Sequence, residues 1–203
     1  MANQEQVALL KQGGEQWNQW RKRHPGIRPN LSGANLEGTD LRYTDLSYTD
    51  LSGAHLSSAD LRGTELQVAI FAGANLQRAN LNNADLTEAQ LNEADLRKAF
   101  LSFATLNRTR LENADLSGAI LGSTVFVEMD LSNVRGLEAV EHEFSSSIDI
   151  STIYRSSKNI PEVFLRGIGI PDSMIAHIHS LAGKPTDYYS CFISYSNRDE
   201  ALA

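Results

Sequence analysis

The sequence predicts an all-β chain wound into stacked coils, closed at its start by a helix and followed by a small helical segment. Leucine or phenylalanine recurs at every fifth position from Leu31 to Phe126 and on to Leu131, twenty-one times in one register with no insertion. Two residues before each stands Ala or Thr in nineteen of the twenty-one cases, with Pro29 and Met129 as the exceptions at the two ends. Large and small inward positions therefore alternate along one core. An α-helix cannot use this period, because residues five apart are rotated by about 140° and would smear around the whole circumference. A flat strand cannot either, since an odd step sends successive leucines to opposite faces. Each quintet must contain a bend that turns its large residue inward again, and chains of that kind coil, with every turn stacked on the last.

The quintets themselves, such as Ala34-Asn35-Leu36, Ala59-Asp60-Leu61, Ala74-Asn75-Leu76 and Ala114-Asp115-Leu116, follow the pattern A(D/N)LxG. Over residues 29 to 133 the chain resembles the pentapeptide-repeat family. The resemblance implies a right-handed quadrilateral parallel β-helix in which four quintets make one square coil. About five coils would then form a rod roughly 25 Å long, at the ordinary spacing of neighbouring strands. Gly33, Gly53 and Gly73 recur at the twenty-residue spacing of such a coil, as do Asp40 with Asp60 and Arg42 with Arg62. Glycines at the fifth repeat position serve the bends between sides.

Both ends of a coil stack expose a leucine-lined cross-section and need a cover. Residues 1 to 26 form the predicted amino-terminal cap. Within it, residues 3 to 23 read as a helix with Val7, Leu10, Trp17 and Trp20 on one arc, ended by His24-Pro25-Gly26. The two tryptophans at helical spacing read as core rather than as a ligand box, and Gly13-Gly14 marks a bend or a close approach of backbones. Residues 27 to 135 are the repeat body and 136 to 185 a helical cap or connector. Pro161 and Pro171 sit where helices start, and Gly167 and Gly183 where they end. Short helices are predicted at 151 to 157, 161 to 167 and 171 to 182. The outward positions of the last coils turn apolar at Phe100, Phe103, Ile120, Val125 and Val127, where earlier coils carry Asp, Asn, Gly or Ser. The prediction is that residues 137 to 183 fold back over this flank, because a soluble rod does not leave such a patch wet without reason.

Composition narrows the function. The 203 residues suit one domain with caps, and no run of eighteen apolar residues suggests a membrane span. The amino terminus lacks the charged and apolar stretches of a secretory signal, which predicts a cytoplasmic protein. The single cysteine, Cys191, excludes an internal disulfide framework and reads as a small buried hydrophobe. His24, His55, His142, His177 and His179 form no metal pattern, and no nucleophile elbow or phosphate loop is present. The expectation is a non-enzymatic protein without cofactor.

Residues 27 to 135 carry fourteen acidic and nine basic side chains, a balance of minus five. At a twenty-residue coil, Asp40 with Asp60, and Asp45 with Glu65 and Asp85, stack as two columns on neighbouring sides, about 5 Å apart along the axis. Such a surface repels nucleic acid and attracts a basic groove. Quinolone-protecting members of the resembled family mimic DNA in this manner and bind type II topoisomerases such as gyrase, so these five residues are candidate partner-binding columns. The bland alternative is that Asp before Leu accepts backbone N–H bonds at a bend.

The final stretch, Tyr188 to Asp199, contains Phe192-Ile193-Ser194-Tyr195-Ser196 and resembles the first strand and following loop of a Toll/interleukin-1 receptor (TIR) domain. Ile160 to Gly167 resembles the connector between bacterial pentapeptide repeats and such domains. On this resemblance residues 186 to 203 are the first-strand remnant of a TIR domain. The chain then reads as the amino-terminal arm of a TIR-type signalling protein, with 188 to 195 a candidate strand for self-association. The family's catalytic glutamate and nucleotide pocket would lie beyond Ala203, so an NAD-cleaving effector requires a chain that continues there. The sequence therefore predicts a scaffold or protein-interaction module, with a topoisomerase modulator as the alternative.

Overall fold

The computed structural model describes residues 1–156, 159–181 and 192–193. Its organising unit is a four-residue turn. From Gly33 to Glu128 every fifth residue has a left-handed φ between 51° and 68°. Seventeen of these twenty turns are closed by a bond of the kind Ala34 N–H to Leu31 C=O, 3.0 Å, the exceptions being those at Arg108, Ser123 and Glu128 in the last coils. A left-handed third residue is what a type II turn demands, yet fourteen of these twenty positions are not glycine, and one is the β-branched Val68. The bend is thus enforced by stacking rather than by residue choice.

Successive coils pair in parallel at a spacing of twenty residues, from Asn30↔Asp50 through Asp40↔Asp60 and Asp60↔Asn80 to Phe100↔Ile120. Each inner residue donates to the next coil, as Leu31 N–H does to Asp50 C=O at 2.7 Å, and each Asp or Asn position donates back, as Asp50 N–H does to Pro29 C=O at 2.9 Å. The leucines from Leu31 to Leu131 and their Ala and Thr neighbours fill one continuous core.

The leucine register ends at Leu131, but the parallel ladder does not. β1 (Thr105–Asn107) pairs with β3 (Val125–Val127) at a spacing of twenty, placing Leu106 beside Phe126. β2 (Ile120–Leu121) pairs with β4 (Glu141–His142) at twenty-one, and β3 with β5 (Ser147–Asp149) at twenty-two. One residue inserted around a 3₁₀ turn at Leu137–Ala139 and a second between β4 and β5 lengthen the last coil and hide it from a search at fixed period. Ile148 replaces leucine as the buried residue over Phe126.

At the start, two helices take the place of the single predicted one: α1 (Gln4–Leu10) and α2 (Gly14–Arg23). Gly13, at φ 131°, breaks the run, and a Cβ on Gly14 would stand 2.8 Å from Thr44 Cγ2. The backbone must therefore turn and press onto the first coil at this point. Trp17 is fully buried there, packed against Trp20 at 5.2 Å between ring centroids.

At the far end lie α3 (Ile150–Ser156), α4 (Glu162–Gly167) and α5 (Asp172–Leu181). Phe164 of α4 meets Phe126 edge-on at 5.8 Å, so α4 lies over the end of the core. β6 (Phe192–Ile193) adds antiparallel to β5, with Ile148 opposite Ile193. The rest of the stretch from Tyr188 to Asp199, including most of the candidate self-association strand 188 to 195, lies outside the described residues, as does Cys191.

Candidate functional site

The structure brings the five acidic candidates into two columns. Asp40 bridges to Asp60 on one side, and Asp45, Glu65 and Asp85 follow one another on the next. Their local role is structural first. The side-chain oxygens of Asp40, Asp45, Asp60 and Asp85 each accept the backbone N–H two residues on, from Arg42, Ser47, Arg62 and Thr87, at 2.9 to 3.3 Å. Glu65, one methylene longer, makes no such bond.

Most of the columns' charge is already answered. Arg42 grips Asp40 with two bonds of 2.9 and 2.7 Å, and Arg62 grips Asp60 with two of 2.8 and 2.6 Å. Arg42 also reaches Asp60 at 3.6 Å, linking the pairs into a zipper. The Arg42 hydrogen bonds hold the Asp40 carboxyl at about 2, and Arg62 likewise depresses Asp60. Asp45 lies under α2 with Arg21 Nε 3.2 Å away. Burial alone would raise its pKa, but bonds from Ser47 and Arg21 outweigh this and lower it. Asp85 accepts from Gln67 Nε2 at 2.8 Å. A basic groove would have to displace these partners before meeting free carboxylate.

The apolar flank has a different fate. Phe100 and Ile120 stack across neighbouring coils as the twenty-residue period requires, and Val125 and Val127 lie partly buried in β3, with Val125 beside Ser147 of β5. The predicted cover over the whole flank does not form among the described residues, because the helical segment spends its apolar side chains on the end of the core instead. Phe100 remains 36% exposed and Phe103 52%. The loop after β4 adds Phe144, itself 59% exposed, whose ring lies 6.4 Å from that of Phe103. Gly122 makes room for it, since a Cβ there would meet Phe144 Cδ2 at 3.0 Å. Phe144 was not legible as part of the flank, since the insertion before β4 puts it out of register.

Each end of the stack carries a groove of roughly 600 Å³. One lies where α1 and α2 meet the first coil, beside Lys11, Asp40, Arg42 and Tyr43. The other lies between the last coils and α3, where Arg108, Arg110 and Arg155 face Glu112, Glu128 and Asp130, so that its charges balance. Among the described residues no group of three His, Cys, Asp or Glu could hold a metal ion, and no helix is long and apolar enough to cross a membrane.

The family profile described as pentapeptide repeats matches this chain in eight copies over residues 28–57, 49–87 and 84–122. No curated protein matches the chain. Among solved structures, a pentapeptide repeat protein from Nostoc Pcc 7120 is 39% identical, with 46% of this chain and 67% of that one covered and a TM-score of 0.34. The pentapeptide repeat protein Rfr23 from the cyanobacterium Cyanothece 51142 is 29% identical, covers 63% of this chain and 95% of its own, and has a TM-score of 0.50. A trypsin-treated form of QnrB1, a plasmid-mediated fluoroquinolone resistance protein, is 17% identical at a TM-score of 0.54, with 75% of this chain and 71% of that one covered, which shows the shared fold. The stacked coils are those of a right-handed β-helix, and the chain belongs to the pentapeptide-repeat family.

Proposed function

We propose that this chain is a non-enzymatic β-helical scaffold of about five coils, capped by residues 1 to 26 and 136 to 185, that presents its aromatic flank to a protein partner. The observation that carries the reading is the exposed trio Phe100, Phe103 and Phe144, on a rod whose outward positions are otherwise mostly polar. Clustered exposed aromatics at a rigid surface are the usual material of interface anchors. Placement as the cytoplasmic arm of a TIR-type signalling protein rests on the motif at Phe192 to Ser196 and on the connector at Ile160 to Gly167. A photo-crosslinking residue at position 103, with one at Ser58 as control, tests the partner reading in cells. The reading predicts a discrete protein adduct from position 103 that disappears in Phe144→Asp. Equal adducts from both positions, or none from 103, would overturn it.

The topoisomerase reading ranks second. It rests on the stacked acidic columns, and the arginine zipper over Asp40 and Asp60 works against it. We expect no inhibition or protection of gyrase supercoiling at low micromolar protein. A salt-sensitive effect that vanishes when Asp40, Asp45, Asp60, Glu65 and Asp85 are replaced together by Asn or Gln would reverse the ranking.

A further inference from the structure

A histidine ends one of the leucine columns. Leu41, Leu61, Leu81, Leu101 and Leu121 follow one another coil by coil, none more than 1% exposed. In the lengthened last coil, β4 sets His142 beside Leu121 in parallel register, so the next member of the column is an imidazole. Its ring meets Phe164 of α4 edge-on at 5.6 Å. It also lies so near Gly167 that a Cβ there would stand 2.1 Å from His142 Cδ2, which means that glycine alone lets the end of α4 seat on the ring. Nδ1 is buried and has no hydrogen-bond partner.

Several charged groups stand on the elements around this ring. Its own strand carries Glu141, and Glu143 follows with its carboxylate accepting the Ser102 hydroxyl at 2.9 Å. The 3₁₀ turn carries Glu138, α4 carries Glu162 and Arg166, and α5 carries Asp172 and His177. Arg166 is paired with Glu162 at 3.0 Å and with Asp172 at 2.6 Å. None of them compensates the ring, whose pKa is lowered by burial alone.

We infer that His142 is a pH-sensitive latch on the carboxy-terminal cap, its neutral ring serving as the last apolar layer of the column and its protonated ring releasing α4. Protonation makes both ring nitrogens donors and puts a charge between Leu121 and Phe164, where Nδ1 has no acceptor. The direction follows from linkage. A histidine with a depressed folded pKa binds fewer protons in the closed state than when released, so cap stability is full above the ordinary histidine range and falls as pH drops through it. Release would uncover Phe126 and the end of the core, leaving the coils intact.

Amide hydrogen exchange on the full chain at about pH 7.5 and about pH 5.5, corrected for intrinsic rates, reads this opening on either side of the ordinary histidine value. In the wild type, protection of the α4 amides should fall severalfold at the lower pH, while amides between Leu61 and Leu91 stay unchanged. His142→Leu, which restores the column's own residue, should hold α4 protection constant over the same interval. His142→Gln, neutral and polar, should do the same and covers the case in which leucine disturbs the seat of α4. Protection in the wild type that does not change with pH, or an equal fall in both variants, would overturn the latch.

Discussion

The two ends of the rod are closed by opposite chemistries. In a parallel coil stack the hydrogen bonds are not symmetric about a coil. Each quintet of the first coil leaves two carbonyls and one amide without a neighbouring coil, whereas each quintet of the last leaves two amides and one carbonyl. The amino-terminal helices answer mainly with donors. Trp17 Nε1 and Arg21 Nη2 serve the open carbonyls of Asp45 and Ser47 at 2.7 and 3.0 Å, and the Asn3 N–H serves that of Asn30 at 2.8 Å, while Asn18 and Arg21 also donate to the turn carbonyl of Tyr43 and to Ile27 C=O, each at 2.8 Å. Asn18 and Gln6 also accept the amides of Asp45 and Asn30. The carboxy-terminal segment answers mainly with acceptors, beside two longer donor bonds of 3.4 Å from Arg155 to Glu128 C=O and from Asn159 to Ser132 C=O. Asp149 takes the Glu128 amide at 3.1 Å, Thr152 Oγ1 the Met129 amide at 3.0 Å, and Ser156 Oγ the Leu131 amide at 2.9 Å. Open backbone groups at a sheet end must be satisfied or they invite pairing with another chain. The polarity of the ladder therefore dictates which side chains each cap must carry.

The largest expected effect should ignore this difference. Leu81→Asp places an unpartnered carboxylate in mid-stack at a cost of several kcal/mol, against a typical total of about 5 to 15. We expect no cooperative melt by circular dichroism, with both ends lost together. Trp17→Ala should separate the ends: removing a fully buried tryptophan costs about 3 to 5 kcal/mol, lowering the melting temperature and loosening the amino-terminal coils first. Asp149→Ala should cost about 1 to 3 kcal/mol through unsatisfied amides and act at the other end. Burial alone would raise the Asp149 carboxyl, but bonds from Ser151, Thr152 and the amides of Thr152 and Glu128 outweigh this and lower it. A depressed folded pKa stabilises above the ordinary carboxylate value and the gain disappears as pH falls through the folded one. Melts below about pH 4 should therefore lose this contribution in the wild type, and Asp149→Ala should be less sensitive to acid. The smallest effect has the opposite sign. Val68→Gly relieves a β-branched residue at φ 60° in the middle of the rod. Backbone entropy offsets part of that, leaving a gain under about 1 kcal/mol, visible as a small rise in melting temperature.

The middle of the molecule was legible in the sequence because one interaction repeats without interruption: leucine inward, Ala or Thr beside it, a bend between. The ends were less legible because their determinants are read across space. His142 and Ile148 occupy core columns, yet inserted residues put them out of register with Leu121 and Phe126. Gly13-Gly14 marked the bend between α1 and α2, but the partner that Gly14 presses against, Thr44, is a contact no periodicity reports. Asp149, Thr152 and Ser156 look like ordinary loop and helix polar residues until the unserved amides above them are known. The acidic columns show the converse. Their spacing followed from the repeat, but Arg42 and Arg62 neutralise the Asp40–Asp60 column, and Arg21 answers Asp45 in the other, through bonds that only the geometry reveals.

Site-resolved hydrogen exchange on the wild type, Trp17→Ala and Asp149→Ala tests the claim of two chemically distinct closures most directly, because it reports each end and the middle separately. The account predicts that Trp17→Ala raises exchange in the first coil and Asp149→Ala raises it between Glu128 and Leu131, with amides from Leu61 to Leu91 protected in both. Uniform loss of protection along the whole rod from either substitution, or increased exchange at the end opposite the mutation, would contradict it.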